Sequence, residues 1–160
     1  MNCFYSVFGL LVRSNVVLPG VPQAYASGPA IDDLSELTAD LQLHLGVSPP
    51  TREIALPLRE DPIYVSAYLD DSGNPVLRIW QAGDESFLRL DYSDGTRFWL
   101  DRARENLWAT WPENSSLQNT LTYVLGPVFG LILRLRGVVC LHASAVAFGL
   151  RRNDFMEGCG

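Results

Sequence analysis

The chain has no lysine: all twelve of its basic residues are arginines. That absence removes Schiff-base chemistry and the lysine of a phosphate-binding loop from these 160 residues. Positive charge is scarce as a whole, with twelve basic against eighteen acidic residues and a net charge of -6. A nucleic-acid binder needs a basic excess to neutralise phosphates, so that class is excluded. Cysteine is sparse too. Cys3, Cys140 and Cys159 are odd in number and far apart, which suits a reducing compartment better than a disulfide framework. No apolar run is long enough to span a bilayer; the longest, Leu121 to Leu133, leads into Arg134 and Arg136. The opening is apolar from Cys3 to Val12, and Ala24-Tyr25-Ala26 has the look of a cleavage site. Only Met1 and Asn2 precede the run, without positive charge, and Arg13, Pro19 and Pro22 break up the stretch between it and that site. The expectation is a first strand, in a cytoplasmic protein with no membrane segment.

What the chain does have is hydrophobic residues, 48% of the total, enough for a core. The first two-thirds read as strands separated by turns. Phe4 to Val12 is rich in β-formers and closes at Leu18-Pro19-Gly20. Residues 25–35 read as a loop or one helical turn. Leu41, Leu43 and Leu45 alternate with Gln42 and His44, and Ile63, Val65, Ala67 and Leu69 repeat that half-buried pattern. Asp70 to Pro75 is a turn cluster and Val76 to Gln81 the return strand. Phe87 to Tyr92 and Arg97 to Leu100 flank Ser93-Asp94-Gly95, a strong hairpin signal. Leu107, Ala109 and Trp111 suggest one more strand, giving an antiparallel meander with one wet face.

The texture changes after Trp111-Pro112. Ser115 and Gln118 have the spacing of a capping box. Leu117, Leu121, Val124, Leu125, Val128, Ile132 and Leu135 then fall on one side of a helix, with a kink expected at Gly126-Pro127 and a stop at Gly137. Val138 to Phe148 is apolar on both faces, the pattern of a strand buried on two sides. The fold class expected is α+β: an antiparallel β-rich domain over 1–112, then one long helix and a buried strand, 113–160, that begin a truncated α/β domain.

The segment from Arg136-Gly137 through Val138-Val139-Cys140-Leu141-His142-Ala143-Ser144-Ala145-Val146 resembles that of HPr-serine-kinase-related proteins of bacteria. Tyr5 to Leu10, with Ser14 and Leu18-Pro19, is similar to the first strand and Leu-Pro turn of that family. The resemblance implies a phosphotransferase with a phosphoenolpyruvate-carboxykinase-like nucleotide fold, using ATP and Mg in the complete family member. In that family the motif strand leads to a Walker A loop. Here the chain closes on Phe155-Met156-Glu157-Gly158-Cys159-Gly160, without the Lys-Ser/Thr pair. The expectation is therefore an N-terminal part, cut before or within that loop and not catalytic alone.

No catalytic, cofactor-binding or metal residue is assigned. His142 and Ser144 share a strand face with Cys140, but no carboxylate on that strand orients the histidine, so hydrolase chemistry there is disfavoured. His44 reads as a solvated strand residue. Asp70, Asp71, Asp84, Glu85, Asp91 and Asp94 sit around turns, where aspartate satisfies backbone amides, and lack the spacing of a calcium loop. The sequon Asn114-Ser115-Ser116 falls at a helix start. Trp80, Trp99, Trp108 and Trp111 admit two readings: core packing, which is favoured, or an aromatic β-surface for a peptide or protein partner. Self-association through an exposed strand edge is also expected, at the strand beginning Val138.

Overall fold

A computed structural model describes residues 3–24, 38–50, 60–82 and 86–139. Its first element is not the single strand expected from Phe4 to Val12 but a hairpin. Strands β1 (Cys3–Val7) and β2 (Leu10–Ser14) pair antiparallel across Phe8-Gly9. Both turn residues take positive φ, 51° and 82°, the mirror-image turn that matches strand twist. Gly9 adopts it freely; Phe8 does so while its ring lies 5.7 Å from that of Phe129. The apolar run hides the turn because Phe8 is itself a good strand former.

Strands β3 (Leu41–Leu45), β4 (Tyr64–Val65), β5 (Leu77–Ala82), β6 (Phe87–Tyr92), β7 (Arg97–Asp101) and β8 (Asn106–Thr110) complete one eight-stranded sheet. The spatial order is β1-β2-β3-β8-β7-β6-β5-β4. The meander from β4 to β8 is antiparallel, as is β1–β2, but β3 runs parallel to both of its neighbours, β2 and β8. The sheet is thus mixed, and Asn15 fixes its parallel seam: its side chain accepts from the Leu45 amide at 2.8 Å and donates to the Leu45 carbonyl at 3.0 Å. Period-two patterning could place Leu41, Leu43 and Leu45 on one face but not choose the direction of the strand.

At the far edge, the strand expected from Ile63 to Leu69 shrinks to Tyr64–Val65, and its apolar residues stay exposed rather than half-buried. A last strand of a sheet has a neighbour on one side only, so alternation alone does not bury it. The β6–β7 turn forms at the Asp-Gly signal: Gly95 has φ 90°, and Asp94 Oδ1 accepts from the Thr96 amide at 2.8 Å.

The helix begins one residue later than the capping box implies. Ser116, not Ser115, is the N-cap, its Oγ accepting from Asn119 N at 3.2 Å, while Ser115 N–H bonds Pro112 O in the preceding turn. Helix α1 (Leu117–Tyr123) continues through a widened π-turn, Val124–Val128, into α2 (Phe129–Leu135). The break lies at Gly126, φ -105° and ψ -107°, ahead of Pro127, which has no amide to donate. At the end, Val138 N–H bonds Leu133 O and Gly137 N–H bonds Arg134 O, with Gly137 left-handed at φ 79°. These two bonds make a Schellman stop. The Arg136 guanidinium reaches back to Asp40 O at 2.5 Å and Arg104 O at 2.7 Å, tying the helix end to two loops of the sheet.

Leu121, Val124, Val128, Phe129 and Ile132 lie in one apolar cluster with Tyr5, Val12, Leu41, Leu43, Leu90, Phe98, Leu100, Leu107 and Ala109. The helical segment that the sequence places after residue 112 is therefore seated on the sheet. Val138 and Val139, the first residues of the expected buried strand, are exposed and lie outside any strand. The remainder of that strand, with Cys140, His142 and Ser144, lies outside the described residues, as do the 25–35 loop, Asp84 and Glu85 and the closing tail.

Candidate functional site

With the helix on one face, the other face of the sheet is free to carry chemistry, and strand register sets what meets there. His44 pairs with Trp108, Trp108 with Trp99, Trp99 with Arg89, and Arg89 with Trp80. Five strands thus contribute one residue each to a single row, His-Trp-Trp-Arg-Trp. Residues directly opposite on paired strands share a face at close range, so the row is contiguous by construction.

Its members are held differently. The His44 imidazole stacks on Trp108, ring centroids 5.0 Å apart and planes 14° from parallel. Its Nε2 lies 3.1 Å from Asn106 Oδ1. Asn106 Nδ2 in turn donates to Asp101 Oδ2 at 2.8 Å, and Asp101 Oδ1 accepts from the Glu105 amide at 2.8 Å and the Asn106 amide at 3.1 Å. A carboxylate accepts only, so it fixes which way the amide of Asn106 points; Oδ1 then faces His44, and Nε2 carries the imidazole proton. Alternation along β3 marks His44 as solvated. In the fold it is half-buried, stacked and hydrogen-bonded, and only the pairing of β3 with β8 brings its partners to it.

Trp99 is buried and clusters with Ala82 and Phe87, with Trp108 packed against them. Phe87 and Trp108 make a tilted contact at 5.9 Å. Of the two readings of the tryptophans, Trp99 takes core packing, in a second small cluster opposite the helix. Trp108 and Trp80 are half-buried, and the buried Nε1 of Trp80 has no hydrogen-bond partner. Trp111 leaves this set altogether. It joins the cluster under the helix, against Gly46, because it lies beyond the end of β8 rather than in it.

Arg89 brings a charge into the row that is already matched. Its Nε donates to Asp91 Oδ1 at 2.8 Å and its Nη2 to Asp91 Oδ2 at 2.5 Å, while Arg97 Nε stands 3.8 Å from the same carboxylate. The row thus presents aromatic faces and hydrogen-bonding edges with a charge compensated in place. Nucleophilic catalysis needs a serine, cysteine or threonine beside a base, and no such residue stands in this row. Among the described residues no group of three or more His, Cys, Asp or Glu is placed to hold a metal ion. The turn carboxylates do as their positions suggest. Asp70 Oδ1 accepts from the amides of Ser72 and Asn74, both at 2.9 Å, and these bonds hold its carboxyl below the usual range.

At the other end of β6 lies a tyrosine pair. Tyr92 and Tyr123 rings are 4.2 Å apart, and Tyr123 donates to Asp94 Oδ2 at 2.9 Å. Burial, with Tyr123 and Asp94 nearby, pushes the Tyr92 phenol up to about 12; burial and Asp94 also raise Tyr123. No helix among the described residues is long and apolar enough to cross a membrane. No family model, no curated protein and no solved structure matches this chain.

Proposed function

We propose that this chain is a recognition module, not a catalyst, and that it stands at the front of an HPr-serine-kinase-related protein. The observation that carries the first half is the cross-sheet row His44–Trp108–Trp99–Arg89–Trp80. Tryptophan supplies large contact area at low entropic cost, and both tryptophan and arginine are enriched where partners bind. The occupant is a peptide or protein segment. Peptides selected from a random display library on the full chain should lose binding to Trp108→Ala and His44→Ala while keeping it to Thr122→Ala on the helix. Equal recovery on all three variants removes the row from recognition.

The second half rests on the segment after Arg136-Gly137 and on its placement directly beyond a terminated helix. Phosphoryl transfer is then work for the complete relative, since lysine is missing from these 160 residues. Calorimetric titration of the chain with ATP and Mg should give no saturable heat.

A further inference from the structure

The last strand of the sheet is short, yet a longer apolar stretch around it is left exposed. From Ile63 to Leu69 the chain runs along β5 through Ile63 N–H to Ile79 O, Ser66 N–H to Leu77 O, and Val76 N–H to Tyr68 O, then bridges at Leu69–Pro75. The sheet ends here, with β5 as the only strand paired to β4 among the described residues. Five apolar side chains along this stretch, Ile63, Tyr64, Val65, Tyr68 and Leu69, are each between 46% and 79% exposed. Natural edges are blunted by shortness, proline, lysine or inward-pointing charge; here the paired strand has two residues and Pro62 precedes the stretch, but no charged residue lies between Ile63 and Leu69.

The charge lies instead at the two ends, and it has one sign. Glu60 and Asp61 precede the stretch, Asp70 and Asp71 come after it, and residues 60–77 contain no arginine. Asp70 is kept ionised by the amides it accepts. The nearest described cation, Arg78, lies opposite Val65 on β5 and pairs in register with Asp91 on its other side. Arg59 lies outside the described residues.

We propose that this edge accepts an extended, cationic peptide segment of another protein as a ninth strand. Main-chain hydrogen bonds to the open side of 63–69 supply the pairing, apolar side chains at alternate positions meet Tyr64, Tyr68 and the aliphatic residues, and lysine or arginine at the segment's ends meets the two acidic pairs. Charge also decides against a second copy of this chain. An antiparallel copy centred between Val65 and Ser66 sets Glu60 and Asp61 opposite the other copy's Asp71 and Asp70, and like charges across strands repel. The edge adjoins the row only at its Trp80 end, and Trp108 lies three strands beyond Trp80, on β8, so a change at Trp108 tests the row without touching the edge.

The test uses the full chain and a fluorescent peptide of alternating valine and threonine with two lysines at each end, read by anisotropy at low salt. Saturable binding is expected, about tenfold weaker when the lysines become glutamates, the effect of several surface charge pairs reversed in sign. It is expected to vanish when alternate peptide amides are N-methylated and in Val65→Lys, while Trp108→Ala leaves it unchanged. Tyr68→Lys, exposed and outside the two-residue strand, guards against loss of folding in Val65→Lys, and circular dichroism checks both. Equal affinity for the lysine and glutamate peptides, retention after N-methylation, or no saturation with the lysine peptide overturns the proposal. So does a dimer in sedimentation that Val65→Lys abolishes, which would give the edge to a second copy.

Discussion

Tyr5→Phe removes one oxygen from the interior and no packing surface of consequence, so its effect reads out the hydrogen bonds of a single hydroxyl, made with the Leu18 amide and with the Cys3 and Gln23 side chains. Tyr5 is fully buried on β1, and its hydroxyl accepts from the Leu18 amide at 2.8 Å. Leu18 is itself buried and opens the Leu18-Pro19-Gly20 turn, which the Val21 amide closes on Leu18 O at 3.3 Å. In the variant the Leu18 amide has no water to turn to. An orphaned buried donor costs about 1–3 kcal/mol, more than the net worth of an ordinary hydrogen bond, because desolvation is no longer offset. For a chain of this size each kcal/mol moves Tm by about 2–4 °C, so a fall of roughly 2–12 °C is expected. Burial raises the Tyr5 phenol, which keeps its proton at neutral pH, so the deficit should be flat through that range. Urea unfolding at pH 7 gives the number, and exchange of the Leu18 amide locates it. Tyr64→Phe, half-exposed on the edge, is the control and should lie within about 0.5 kcal/mol of the parent. A Tyr5→Phe protein that matches this control, with Leu18 still protected, would refute the reasoning.

Ser116→Ala should cost about 1 kcal/mol by urea unfolding, the usual effect of a lost N-cap, whereas Ser115→Ala should cost little; the reverse order would restore the capping box. Phe129→Ala empties a fully buried site where the helix meets the sheet and should lose about 3–5 kcal/mol by the same measurement. Tyr92 has its folded pKa raised to about 12 against about 10 unfolded, so its contribution is intact below pH 10 and is lost as pH climbs toward 12. Tyr92→Phe should therefore flatten the alkaline fall in stability and remove the latest phenolate step from an ultraviolet titration. Because the Tyr92 hydroxyl is buried without a partner, the same change should not destabilise at pH 7.

Much of the architecture is legible along the chain because it depends on local rules. Alternation at Leu41, Leu43 and Leu45, Asp-Gly in the β6–β7 turn, the helical stripe from Leu117 to Leu135, its break at Gly126-Pro127 and its stop at Gly137 all appear where their residues point. The misplacements have their own causes. The turn at Phe8-Gly9 sits inside an apolar run and needs a left-handed φ that phenylalanine rarely adopts, and the cap shifts between two adjacent serines, Ser115 and Ser116, that local sequence does not distinguish. The site is harder still. That His44, Trp108, Trp99, Arg89 and Trp80 form one row depends on the register of four strand pairs, one of them parallel, across sequence separations as large as 64 residues between His44 and Trp108. Periodicity assigns a residue to a face; it carries no information about which strand lies beside it.

The sequence by itself determined the chemistry that is absent, above all the lysine, and the local elements whose dihedral preferences and hydrophobic period are properties of consecutive residues. Only the tertiary structure decided that β3 runs parallel between β2 and β8, that Arg136 ties the helix end to two loops, and that among the described residues no strand pairs with the outer side of β4. The physical reason is that these depend on pairings between distant segments, where hydrogen bonds and buried area are gained only after the chain has closed its loops.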